Sequence, residues 1–161
     1  MRVPSLLELC SALPVRNVEA GTVLIEEGDL PSALLVLRSG SVTVEKDAVA
    51  FARIDHPGAV FAEMSWVLGR PATATVRAAS PVQVHVMDDP DSFLTANPDA
   101  AVAILRMTAT RLDGLTQYLV DVKRQFAGMD GHLGMVDQIL DSLVHHQAPP
   151  ARTGSMRDPD D

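Results

Sequence analysis

The feature that most constrains this chain is a succession of short extended runs, each stopped by turn residues, between Val15 and Met87. Residues 15–19 are extended and Ala20-Gly21 turns. Residues 22–25 form a second run, stopped by Gly28, Asp29 and Pro31. Residues 33–37 read as a buried strand ending in the hairpin turn 38–41. Residues 42–45 and 49–54 flank the turn Lys46-Asp47, and in 82–87 Val82, Val84 and Val86 alternate with Gln83 and His85. Runs this short, at near-regular spacing, bury an apolar face only by packing sheet on sheet, as a sandwich or barrel. At 161 residues the chain is long enough for one domain with its own core.

Helical signals flank this β region. Ser5 and Glu8 form a capping box that opens a short helix, with Leu6, Leu7, Leu9, Cys10 and Leu13 on its apolar side and Pro14 ending it. After Pro90, residues 91–94 predict one helical turn, closed by Asn97-Pro98. Asp99 is placed to cap a longer helix that reaches about Phe126, with at most a break at Gly114. Leu105, Leu112, Leu119 and Phe126 recur every seven residues, with Thr108, Leu115 and Val122 between them. Such a seam can pack on the domain's own sheet. It can also pair with its copy in a homodimer through Leu105, Leu112, Leu115, Leu119, Val122 and Phe126. Residues 128–134 break the helix, and Leu133, Val136, Ile139, Leu140, Leu143 and Val144 mark a last amphipathic one. The expected organisation is a domain over 1–127, an added helix over 128–146 and a disordered polar tail over 147–161.

The stretch 58–78 organises the rest. A short extended run, 59–61, leads into Glu63, an apolar helical turn covers 64–68, Gly69 and Pro71 stop it, and a β-branched run follows at 73–76. A strand–short helix–strand element can leave the helix's first N–H groups bare, which suits an anion. The stretch resembles the phosphate-binding cassette of the cyclic-nucleotide-binding domain family in Gly58, Phe61, Glu63, Gly69, Pro71, Thr73, Ala74, Thr75 and Val76. It departs at Ala62, where the family has glycine, and at Ala72, where the family has its phosphate-pairing arginine. The resemblance extends over about 6–126 and includes Gly28 and Gly40. It implies a mainly β fold: an antiparallel jelly-roll β-barrel (double-stranded β-helix) with an N-terminal helical piece and C-terminal helices. Catabolite-activator relatives continue into a winged helix-turn-helix. Residues 131–146 resemble only the first helix of such a domain, so DNA binding by this chain alone is not expected.

The resemblance also implies the site. Glu63 would accept from a ribose 2′-hydroxyl, the N–H groups of Met64 and Ser65 would hold the cyclic phosphate of cAMP or cGMP, and the Thr73 hydroxyl with the Ala74 N–H would close the other side. Phe61 and Ala62 lead into this helix. If the family glycine serves positive φ, Ala62 strains the loop; if it serves close approach, a methyl group can fit. Ala72 supplies no guanidinium. Arg70 can fold back across Pro71 to replace it or stay solvated. Gln117 and Tyr118 are candidates to cover the base, against a solvent or dimer role, and Trp66 is core packing or a stacking platform. Three functions remain open: a cyclic-nucleotide sensor, an interaction module that has lost the ligand, and a site for an uncharged nucleoside.

Other classes are disfavoured. A formal net charge of -8 argues against a phosphate-backbone partner. No run of eighteen apolar residues predicts a membrane span, and the N-terminus lacks a signal peptide's apolar region. The single cysteine, Cys10, reads as a buried small hydrophobe in a reducing cytoplasm. His132, His145 and His146 lack further spaced ligands, so no metal is expected. Arg38, Arg53 and Arg77 are expected on strand exteriors, and Glu26-Glu27 as solvated turn charge. No nucleophile–base arrangement stands out, so neither an enzyme nor a resident cofactor is expected.

Overall fold

The computed structural model describes residues 3–126 and 133–145. Among the described residues, eight strands form two antiparallel four-stranded sheets. The strands are β1 (Val15–Val18), β2 (Val23–Ile25), β3 (Leu34–Ser39), β4 (Val42–Lys46), β5 (Val49–Ile54), β6 (Val60–Phe61), β7 (Thr75–Ala78) and β8 (Val82–Met87). One sheet runs β1-β8-β3-β6 and the other β2-β7-β4-β5. The jelly-roll expectation holds, but closure into a barrel does not: each sheet keeps two edges. Closure needs strands that pair across from one sheet to the next. Here the edge strands β6 and β2 have only two and three residues.

The alternation of β8 explains how the first sheet is filled. Val82 and Val84 face the other sheet, in a cluster with Val18, Ile25, Leu35, Leu37, Val42, Phe61 and Val76. Leu34, Val36 and Met87 are fully buried as well, yet stand outside that cluster. The first sheet is therefore covered on both faces, which is why 34–37 is an unbroken apolar run. Leu6 and Cys10 are buried where the N-terminal helix meets β3. Cys10 is fully enclosed, and burial pushes its thiol up to about 11. His85, also buried, donates Nδ1–H to the Leu13 carbonyl at 3.1 Å.

Two turns set the strand registers. Gly40 has φ +89, and a Cβ there would lie 2.3 Å from the Pro81 carbonyl oxygen, so β3 and β4 are joined by a residue that only glycine can be. Asp47 and Ala48 have φ 51 and 63, the paired positive angles of a type I′ hairpin between β4 and β5.

The helices follow their signals with shifts of a residue or two. In α1 (Leu6–Leu9) the Ser5–Glu8 capping box is formed. The helix expected at 91–94 is α3 (Pro90–Ala96), because Asp89 is its cap: the Asp89 carboxylate accepts from the Ser92 N–H at 3.2 Å and from the Ser92 hydroxyl at 2.8 Å. Those bonds hold its carboxyl below the usual carboxylate range. Helix α4 is Pro98–Gln125, continuous through Gly114, and Asp99 lies in its first turn rather than at its cap. A mid-helix glycine costs about 1 kcal/mol, less than the long run of helix formers around it supplies.

The chain divides into two compact units, 1–106 and 107–161. In the second, α4 pairs with α5 (Leu133–His145): Lys123 forms an ion pair with Asp137, and Ala109, Leu112 and Thr116 line a small cavity with Leu143 and Val144. These contacts make the two helices antiparallel. The expected break at 128–134 falls mostly, and the expected tail wholly, outside the described residues.

Candidate functional site

The cassette is held from two sides. Its entry arm is β6, a two-residue strand paired with β3 through Leu35–Phe61 and Val36–Val60. The Leu37 N–H donates to Ala59 at 2.8 Å and the Gly58 N–H to Leu37 at 2.7 Å. Phe61 is thereby buried in the core between the sheets. Ala62 follows with φ 75 and ψ 3, in the left-handed region, and caps the small helix α2 (Glu63–Leu68) without a side-chain bond. The glycine of the family pattern thus serves a positive φ, and Ala62 carries the strain. Helix α2 starts at Glu63, a residue before the expected turn. The Trp66 N–H closes its first turn on the Ala62 carbonyl at 3.0 Å.

Burial along α2 is inverted. Glu63 and Ser65 are buried, at 6% and 7% exposure, while Met64, Val67 and Leu68 are exposed at 48%, 64% and 55%. Trp66 is half-buried. Every fully buried side-chain polar atom among the described residues has a hydrogen-bond partner, so the Glu63 carboxyl is not left unsatisfied. Gly69, with φ 62, ends the helix, and the Arg70 N–H returns to the Ser65 carbonyl at 3.1 Å.

The exit arm is tied to a distant turn. The Gly28 N–H donates to the Ala72 carbonyl and the Ala72 N–H to the Asp29 carbonyl, both at 2.8 Å. The Glu27 N–H donates to Thr75 Oγ1 at 3.0 Å. Gly28, at φ +90, lets the turn make these bonds. This tether is the part that sequence reasoning missed. Gly28 was legible as a turn residue, but nothing local links it to positions more than forty residues away. The Ala72 methyl is buried in the apolar cluster between the sheets. Strand β7 starts at Thr75 rather than at 73, because the tether takes the chain through Ala72 first. Thr73 is exposed and Ala74 half-buried in the preceding bend.

The structure thus brings Phe61, Ala62, Glu63, Met64, Ser65, Ala72, Thr73 and Ala74 into one continuous loop-helix-loop. Arg70 is exposed. Arg77 lies on β7, bonded to Glu45 at 3.2 Å and to the Gly21 carbonyl at 3.0 Å. Arg53 donates to Ser41 Oγ at 3.1 Å. Gln117 and Tyr118 belong to the second unit. There Gln117 donates to Asp121 at 3.0 Å and Tyr118 is 64% exposed. Among the described residues no cluster of three or more histidine, cysteine or acidic side chains could hold a metal ion, and no helix is long and apolar enough to cross a membrane.

In comparison with known proteins, the family model described as cyclic nucleotide-binding domain matches residues 15–94. The chain is 32% identical over 111 residues to a cyclic nucleotide-gated potassium channel of Mesorhizobium japonicum, covering 68% of this chain and 30% of the channel. It is thus similar to less than a third of that protein's length. A cAMP-binding acyltransferase from Mycobacterium smegmatis superposes with a TM-score of 0.55 at 31% identity, covering 68% of this chain and 36% of that one. The Thermus thermophilus catabolite activator protein superposes with a TM-score of 0.59 at 19% identity, covering 86% of this chain and 79% of that one. At that identity the likeness is one of fold.

Proposed function

Residues 15–94 of this chain belong to the cyclic nucleotide-binding domain family, and we propose that the chain is a regulatory, non-enzymatic module that senses a ribose-bearing ligand at the cassette, cAMP and cGMP being the family's ligands. The single observation that carries this is Glu63, an acidic side chain 6% exposed on a helix that turns its large apolar residues outward. Glu63 already has a partner within the protein, and a carboxylate has capacity for more than one accepted hydrogen bond. A ribose 2′-hydroxyl is the donor this position is suited to receive. The N–H groups of Met64 and Ser65, with the Thr73 hydroxyl and the Ala74 N–H, would face the remainder of the sugar and its phosphate. Ala72 lacks the guanidinium, and a missing charge-assisted bond to a bound phosphate costs about 1.5–3 kcal/mol, about one to two decades in affinity. Ligand binding would act by shifting a two-state equilibrium. The test is titration followed by Trp66 fluorescence and calorimetry. Glu63→Gln is expected to weaken ribose-bearing ligands about tenfold, in a chain whose fold is checked by its melting temperature. No saturable response to any ribose-bearing ligand at millimolar concentration overturns the reading.

A second reading, a ligand-independent dimerising module, is supported by the exposed seam of α4. Leu105, Leu112, Leu115 and Phe126 are exposed at 66%, 42%, 48% and 43%, and Leu119 and Val122 are half-buried. A seven-residue recurrence on exposed helix suits pairing with a second copy. Sedimentation of the ligand-free protein checks this: a dimer is expected, converted to monomer by Leu112→Ser with Leu115→Ser. A natural chain that stays monomeric at high micromolar concentration excludes it.

A further inference from the structure

We infer that the hairpin of α4 and α5 is one half of a four-helix bundle, completed by the same hairpin of a second copy. This rests on the reading of α4 as a dimerising seam and makes α5 an equal part of the interface.

The hairpin buries no core by itself. Beyond Ile104 none of the described residues is buried. Even Leu119 and Val120 of α4 and Val136 and Leu140 of α5 are only half-buried. Two antiparallel helices form a single layer, and an apolar stripe needs a second layer to leave water.

Helix geometry fixes which side is open. Helix α5 lies against the side of α4 that carries Ala109, Thr116 and Lys123, since Leu143, Val144 and Asp137 meet it there. At about 3.6 residues per turn, Leu115, Val122 and Phe126 stand about a quarter-turn to one side of that line. Because the helices run antiparallel, Met135 and Ile139 of α5 project to the same side. Leu115, Phe126, Met135 and Ile139 are exposed at 48%, 43%, 53% and 37%. Gln117, Asp121 and Arg124 of α4 and Asp141 of α5 fall on the opposite side, where Gln117 donates to Asp121. The two apolar stripes thus join into one face two helices wide, and the charges collect on the other.

That face is about 20 Å long and about 15–20 Å wide, on the order of 300–400 Å². It is as large as the largest apolar patch a typical monomer leaves open. Two such faces closed on each other reach the scale of a small, reversible interface. A second copy is the partner that fits. The recurrence Leu112, Leu119, Phe126 has the spacing of helix packed on helix. A two-fold axis brings the same stripes to both sides, and the open side offers no charge to select a different chain.

The experiment is sedimentation of the ligand-free full chain, joined to hydrogen exchange at low and high protein concentration. The natural chain is expected to dimerise in the micromolar range, and the amides of 135–143 should slow together with those of 112–126 as the dimer fills. Met135→Ser with Ile139→Ser is expected to raise the dimer dissociation constant at least about tenfold. Gln138→Lys, on the far side of α5, should leave it unchanged. Serine also lowers helix propensity, so the exchange measurement on the natural chain decides the matter even if α5 does not survive the substitution. Slowing confined to α4, or a serine pair that dimerises like the natural chain, overturns the inference and leaves the α4 seam as the interface. Slowing in neither helix, or a natural chain that stays monomeric at high micromolar concentration, overturns both.

Discussion

The two sheets and the cassette between β6 and β7 follow opposite rules of burial. In the sheets, residue type and environment agree. Leu34, Leu35, Val36 and Leu37 are all buried, and the valines of β8 point inward where period two says they should. In α2 the polar Glu63 and Ser65 are buried, while Met64, Val67 and Leu68 face out. The sheets are therefore held by their own apolar pattern, and α2 is held in place by its neighbours. β3 grips one end of the cassette and the 26–29 turn grips the other. A buried acid and an exposed apolar cluster are the departures that carry information about function, whereas an ordinary core says only that the domain folds.

The largest way to break this contrast is Gly40→Ala. It adds a Cβ 2.3 Å from the Pro81 carbonyl oxygen at a φ of +89. Backbone strain and overlap together are expected to cost about 3–5 kcal/mol. Urea unfolding followed by Trp66 fluorescence should show a midpoint shifted well down. A shift equivalent to less than about 1 kcal/mol would mean that the β3–β4 hairpin adjusts, and that the sheets are less rigidly specified than their packing implies.

How much was legible follows the same division. The strands were readable because each is local. A short β-branched run between turn residues declares itself, as in β8 (Val82–Met87) between Pro81 and Pro90. Barrel closure was not readable, because it depends on how the short edge strands β2 and β6 end relative to each other. Continuity of α4 through Gly114 is a balance of about 1 kcal/mol against a whole helix, which a single residue does not reveal. In the cassette, the family pattern pointed to Glu63, Ala62 and Ala72, and left open whether the glycine position needs a positive φ; the φ of 75 at Ala62 resolves that. The pattern could not show Met64, Val67 and Leu68 turned outward, since an apolar triplet on a helix ordinarily predicts burial. Nor could it show the bonds from Gly28 and Asp29 to Ala72, which depend on the folded sheets.

The smaller test compares two strained alanines, one in each region. Ala62 sits at φ 75 in the cassette and Ala48 at φ 63 in the β4–β5 hairpin. Relieving a left-handed alanine is worth about 1–2 kcal/mol. The added freedom of glycine in the unfolded chain takes back about 0.4–1 kcal/mol. Ala62→Gly and Ala48→Gly are therefore both expected to stabilise, by about 0.5–1 kcal/mol each, seen as a higher urea midpoint. Their effects on ligand binding should separate. Ala48 lies at the tip of the β4–β5 hairpin, next to the Asp47 N–H that donates to Glu27, and α2 does not start from it, so its replacement should leave affinity unmoved. Ala62 is the cap from which Glu63, Met64 and Ser65 start, so freeing it lets α2 sample more than one approach to the sugar. Affinity for ribose-bearing ligands should fall about twofold to threefold even as stability rises, the trade expected where strain holds a binding group in position. Equal gains in stability with no change in affinity at either site would make the strain at Ala62 incidental. The contrast between sheets and cassette would then rest on the inverted burial of α2 alone.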